Sequence, residues 1–169
     1  MRVLFLTLYP QTVASSRYRV GQFLPYLQDH GVDCTVVSPL TETEHAALTG
    51  PGRRRRPAWY HLVETRRRIV QVLAARRYDV VVVQKAIMTA YLAGMAGLLR
   101  RCARHIVYDI DDAVHLAPPH PLRGVWRGVE DRDQITELMG MAALVLAGNA
   151  WLADAARKSG ARTEVFPTV

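Results

Sequence analysis

The chain has 169 residues, half of them hydrophobic, and a formal net charge of +7. That composition supports one globular domain with a real core. Its longest apolar stretch, residues 86–99, falls short of the ~20 residues a membrane-crossing helix needs, which excludes a transmembrane protein at the level of sequence.

Strands and helices alternate along the chain. Residues 3–8 form a continuous apolar run of strand length. Tyr9-Pro10-Gln11 follow it without a small-residue cleavage site, so the run reads as a first buried strand and not as a signal segment. Val20, Phe23, Leu24 and Leu27 recur at helical spacing up to Gly31, with Pro25 predicted to kink that helix. A second strand spans 32–37, residues 41–57 read as a loop, and Leu62, Val63, Ile69, Val70 and Leu73 mark a helix over about 59–77. A third strand (80–83), a helix (86–101), a fourth strand (106–110) and an irregular stretch around Pro118-Pro119-His120-Pro121 follow. The chain closes with a helix over about 130–141, a strand at 143–147, a helix capped by Asn149 and a sixth strand beginning at Glu164. Cys34 and Cys102 lie inside apolar segments without metal-ligand spacing and read as reduced, buried thiols.

Strands that are apolar on both faces belong to a parallel sheet covered by helical crossovers. The predicted fold is therefore α/β: a Rossmann-like three-layer sandwich around a mostly parallel, doubly wound sheet of about six strands, in the order 3-2-1-4-5-6. The whole of 1–169 reads as a single domain. Its end at a newly begun sixth strand is what a piece of a longer protein would show.

In such folds ligands meet the carboxyl ends of the strands. The first strand leads into Tyr9-Pro-Gln-Thr-Val-Ala-Ser-Ser16, which has no G-x-G-x-x-G pattern. Ser15 or Ser16 is expected to cap the following helix. Arg17 and Arg19 then fall in its first turn, where the helix dipole disfavours cations, so a bound anion would account for them. The alternative is that they reach solvent or pair with an acid, and Tyr18 reads as packing. Gln84 and Lys85 end the third strand and face the same crevice, with Lys85 either contacting an anionic acceptor or fixing a helix start.

The fourth strand carries the densest chemistry, His105-Ile-Val-Tyr-Asp-Ile-Asp-Asp-Ala113. Apolar residues feeding into Asp109, Asp111 and Asp112 describe a buried strand with acids at its tip. Those acids suit an aspartyl phosphatase of the haloacid-dehalogenase type, a divalent metal, or a polyhydroxylated or cationic ligand. In a purely structural reading, Asp109 pairs with an arginine and Asp112 caps a turn. The phosphatase reading lacks an acid at the next strand end, which reads Leu146-Ala-Gly-Asn149. His115 and His120 have no ligand spacing and read as loop residues; Trp126 and Trp151 read as packing.

Taken in order, Arg2-Val-Leu-Phe-Leu, Ser16-Arg-Tyr-Arg-Val20, Leu24-Pro-Tyr-Leu-Gln-Asp-His-Gly31, Tyr78-Asp-Val-Val-Val-Val-Gln84, Val107-Tyr-Asp-Ile-Asp-Asp112, Ala147-Gly-Asn149 with Leu152-Ala153, and Val165-Phe-Pro-Thr-Val169 resemble the amino-terminal domain of family-4 (group 1) glycosyltransferases. The resemblance covers essentially the whole chain. It implies a GT-B enzyme in which this acceptor-side domain faces a carboxy-terminal, donor-binding domain absent here, so that the fragment alone would be inactive. It further implies a retaining transfer from a nucleotide-sugar co-substrate to a glycan or lipid-linked acceptor, without metal or other cofactor; the alternatives are a non-catalytic Rossmann-like binding module and the Mg-dependent phosphatase. The setting implied is bacterial, cytoplasmic cell-envelope or polysaccharide biosynthesis. Asp111 falls where the family commonly has a sugar-touching His, and Asp112 at the Asp beside it, which makes these two the catalytic candidates. Ser15, Ser16, Arg17, Arg19, Lys85, Asp109 and Asn149 become the substrate-binding candidates. Ala14-Ser15-Ser16 replaces the family's Gly-rich first loop.

The charge is uneven. Residues 1–85 hold 13 Lys/Arg against 6 Asp/Glu, a net of +7, and residues 86–169 hold 9 against 9. Nine arginines lie between Arg53 and Arg77, around Trp59 and Tyr60. A basic amphipathic helix with aromatic edges suggests peripheral contact with an anionic membrane, at its inner face. No nucleic-acid recognition motif accompanies the charge. The competing reading is a solvated run favoured by coding bias, since 20 of the 22 basic residues are arginine.

Overall fold

The computed structural model describes residues 1–49, 58–89, 92–114, 116, 128–131 and 133–167, with the side chains of residues 58 and 59 excepted. It is a six-stranded, all-parallel sheet built from β1 (Arg2–Thr7), β2 (Asp33–Val37), β3 (Val80–Gln84), β4 (Ile106–Ile110), β5 (Leu144–Ala147) and β6 (Thr163–Val165). The helices are α1 (Ala14–Arg19), α2 (Leu24–Asp29), α3 (Glu42–Thr49), α4 (Ala58–Ala74), α5 (Met95–Cys102), α6 (Gln134–Met141) and α7 (Ala150–Lys158). The Rossmann-like three-layer architecture is as the apolar strands predict. Alternation along β1 separates its two faces. Leu4, Leu6 and Leu8 join a core completed by residues of α4, α5, α6 and α7, while Val3 and Phe5 pack with Val20, Leu24 and Leu27 of the α1–α2 side. No helix among the described residues is long and apolar enough to cross a membrane.

The strand order is 2-1-3-4-5-6, not 3-2-1-4-5-6. The chain reverses after one crossover instead of two, which moves the switch point to the β1/β3 junction. The residues explain it. Four consecutive valines and a fully buried Gln84 suit β3 to a central position, whereas β2, with Asp33 and Thr35, is half-exposed throughout and lies at the edge.

Three further expectations change. The first helix is interrupted at Val20, whose backbone leaves the helical region, and a 3-10 turn (Gly21–Phe23) leads into α2. Pro25 thus sits in the first turn of a new helix, where its missing N–H costs no hydrogen bond. Of the predicted loop, residues 42–49 are helical. Thr41 and Glu44 form a reciprocal capping box, Thr41 N–H to Glu44 Oε2 at 2.8 Å and Glu44 N–H to Thr41 Oγ1 at 3.3 Å. Residues 50–57 lie outside the described residues. The helix predicted from residue 86 begins only at Met95, after Gly94 in the left-handed region, and Ala86, Ile87, Met88 and Thr89 are buried irregular chain.

Helix α4 inverts the usual pattern. As the link between two parallel strands it runs antiparallel to them, so its amino-terminal half lies at the carboxyl edge of the sheet. There its inward row is Tyr60, Glu64 and Arg68, turning apolar only at Val72 and, just past the helix, Ala75. Leu62, Val70 and Leu73 face outward, 70%, 60% and 42% exposed.

Candidate functional site

Lys85 is the most unusual residue of the crevice. It follows β3 directly with φ +71°, a left-handed conformation that no other non-glycine residue adopts among those described. Ala86 N–H donates to Gln84 C=O at 2.9 Å, closing a γ-turn of the rare positive-φ kind around it. Such a backbone costs about 1–3 kcal/mol and persists only where its surroundings fix it. Two hydrogen bonds do so. Lys85 N–H donates to Asp109 C=O at 2.8 Å, and the phenol of Tyr108, a fully buried residue, donates to Lys85 C=O at 2.8 Å.

The turn aims the ammonium at the end of β4, where Lys85 Nζ pairs with Asp112 Oδ2. Lys85 is largely shielded and Asp112 is mostly exposed. Burial alone would lower the lysine pKa. The Asp112 hydrogen bond, with the nearby charges of Asp111, Asp112 and Tyr9, outweighs it and raises the pKa. Tyr9, two residues past β1, meets the His45 ring of α3 edge-on at 5.4 Å.

Asp111 has a buried Oδ1 with no hydrogen-bond partner among the described residues. A buried acceptor without a donor costs roughly 1–3 kcal/mol, and this atom can accept a further hydrogen bond. Its position is fixed by Gly148, whose N–H donates to Ile110 C=O at 2.8 Å. A Cβ at 148 would lie 3.1 Å from Asp111 Cα and 3.4 Å from Ile110 O, so the two backbones pass closely enough that any side chain there would have to push one of them back.

Several predicted site residues do structural work instead. Asp109 lies on the α1 face of β4, 2% exposed, with both carboxylate oxygens 3.1 Å from Arg19 Nε and a further bond from Nη2. Arg19 also donates to Phe166 C=O and lies over the Phe166 ring at 4.9 Å, joining α1, β4 and the chain beyond β6. Burial raises Asp109 to about 6, assisted by Asp111 and opposed by Arg19. The premise for an anion at α1 also falls. The helix starts earlier than predicted and Arg17 and Arg19 occupy its last turn, where the dipole favours cations. Arg17 is exposed and stacks on the ring of Tyr18, itself 41% exposed. The N-cap is Val13, without a side-chain cap. Ser16 is buried inside the helix and donates to Tyr9 C=O at 2.8 Å, and Ser15 is half-buried beside it. Asn149 caps α7, accepting from Leu152 N–H at 2.9 Å. Trp151 is 57% exposed rather than packed in the core. His115, His120, Trp126 and the arginines at 53–56 lie outside the described residues.

Lys85, Asp111 and Asp112 are therefore brought together at the carboxyl ends of β3 and β4, and Tyr108 and Gly148 are the residues that sequence reasoning passed over. Gly148 was signalled by Ala147-Gly-Asn149, whereas Tyr108 reads only as core. Among the described residues no group of three or more His, Cys, Asp or Glu is arranged to hold a metal ion. A separate cavity of about 380 Å³ between α5 and α6, lined by residues including Gly97, Arg100, Glu137 and Gly140, shares no residue with the crevice. No protein-family model and no curated protein matches the chain.

Proposed function

We propose that this chain is the acceptor-side, Rossmann-like domain of a GT-B glycosyltransferase of the family-4 type, moving a sugar from a nucleotide-sugar to a glycan or lipid-linked hydroxyl. The observation that carries the reading is the buried Oδ1 of Asp111, without a hydrogen-bond partner among the described residues, beside the Lys85–Asp112 pair at the carboxyl ends of β3 and β4. An acceptor atom waiting for a donor suits a sugar hydroxyl. A carboxylate there also favours the positive charge that develops at the anomeric carbon, and a neighbouring ammonium favours the departing diphosphate. The phosphatase reading needs Asp109 as nucleophile, but that carboxylate is buried on Arg19.

The outward face of α4 supports a peripheral membrane contact. Leu62, Val70 and Leu73 stand exposed among the exposed Arg66, Arg76 and Arg77, a mixture suited to anionic lipid and to a lipid-linked acceptor.

The test of the reading is nucleoside diphosphate release by the full-length protein, over a panel of nucleotide-sugars with a mixed glycan and lipid acceptor extract. Release with one donor, dependent on acceptor, is expected. Hydrolysis of a generic phosphomonoester, with no donor consumed, would replace this reading by the phosphatase one.

A further inference from the structure

Arg68 presents a different problem from the acids of the crevice. It projects from the inward row of α4, just past the middle of the helix, and has no solvent exposure. Its Nη2 donates to the carbonyl of Thr7, the last residue of β1, at 2.5 Å. Nε and Nη1, which hold most of a guanidinium's five N–H donors, have no hydrogen-bond partner among the described residues. Glu64 lies one helical turn away and acts on Arg68 through its charge, but its Oε1 is occupied by Thr89, at 3.2 Å from N and 2.7 Å from Oγ1. Buried charges in proteins are paired and hydrogen-bonded, because leaving one uncompensated opposes folding by several kcal/mol. Here the fold supplies one carbonyl and one offset carboxylate.

We infer that Arg68 is the floor of a second, oxyanion-binding subsite beneath the carboxyl end of β1, taking a phosphate group through the guanidinium edge that Thr7 leaves unmet. Nε–H and Nη1–H lie on different edges of the guanidinium, each shared with Nη2. Because Thr7 C=O takes only one Nη2 hydrogen, the other edge still offers a forked pair to two oxygens of a tetrahedral anion, the geometry that makes arginine selective for phosphate. The location is independent of the Lys85 turn, since Arg68 belongs to α4 and not to the β3–β4 edge. The assignment does not rest on sugar transfer and stands or falls separately from it. Because the guanidinium is enclosed, binding requires the α4 side of the crevice to open, and association well below the diffusion limit is expected.

The test is calorimetric titration of the full chain with inorganic phosphate, paired with thermal unfolding in phosphate and in chloride of equal ionic strength. Wild type is expected to bind saturably, with a phosphate-specific rise in melting temperature. Arg68→Met is expected to weaken binding by at least about tenfold, and Arg68→Lys to keep part of it. The lysine variant retains the charge and so tests the subsite even if the methionine variant does not fold. Glycerol phosphate and a nucleoside diphosphate, added as competitors, separate a lipid headgroup from a nucleotide as the source of the group. A wild-type response no larger than that to chloride, or an equal phosphate response in Arg68→Met or Arg68→Lys, would overturn the assignment.

Discussion

Tyr108 Oη lies 2.8 Å from the carbonyl oxygen of Lys85. That one hydrogen bond joins the core of β4 to the strained turn after β3. It ties the least favourable backbone conformation of the crevice to one of its most rigid side chains. Tyr108→Phe keeps the buried ring and removes only the hydroxyl. A loss of about 1 kcal/mol in urea unfolding is expected. The Lys85 ammonium should also become less ordered, visible as a changed ¹⁵Nζ or side-chain ¹³C signal, while β4 itself stays intact.

Lys85→Gly separates strain from function. Glycine adopts φ +71° freely, so the variant should match or exceed wild-type stability by up to about 1 kcal/mol, although it loses an ion pair. Ligand binding at the crevice should fall at the same time. A variant both less stable and unimpaired in binding would mean that the turn serves folding alone.

Gly148→Ala should destabilise by about 1–3 kcal/mol. The added Cβ meets backbone at 3.1 Å, not the movable tip of a side chain. Differential scanning calorimetry reads the loss, and the Asp111 amide resonance should move with it.

Much of this was legible in the sequence. Valine-rich strands announced a parallel, helix-covered sheet, and the acids after β4 and Lys85 after β3 announced the crevice. The strand order was not legible, because hydrophobic runs give strand identity and not adjacency. The structural alternative, that Asp109 pairs with an arginine and Arg19 with an acid, holds, but which residues pair was not legible. Arg19 and Asp109 lie ninety positions apart, and only the fold shows that they meet. The α1 boundary misled in a simple way: without a side-chain cap to mark it, Ser15 and Ser16 looked like the start, which put two arginines at the wrong end of the dipole. On α4, periodicity identified a helix but not which face turned inward, since a face holding Glu64 and Arg68 reads as solvent-exposed.

Asp109 makes stability depend on pH. Its folded pKa of about 6 lies above the ordinary aspartate value of 3.8. Between the two, the native chain retains a proton that the unfolded chain has lost, so this group's contribution falls as pH rises through the window. The wild-type minus Asp109→Asn difference in unfolding free energy should therefore decline from pH 4 toward pH 7. Arg19→Met removes the group that opposes the shift and should move the Asp109 ¹³Cγ titration to still higher pH.

Leu62→Ser with Val70→Ser should reduce sedimentation with vesicles containing anionic lipid by several-fold and leave unfolding nearly unchanged, because both side chains face outward. Equal binding to neutral vesicles, or no effect of the double substitution, would remove α4 as the contact.

The most direct measurement of the central claim is donor turnover by full-length wild type and Asp111→Asn, compared at matched folded fraction. Asparagine keeps the size and removes the charge. The account predicts that nucleoside diphosphate release falls by two or more orders of magnitude while the fold is retained; release at the wild-type rate would contradict it.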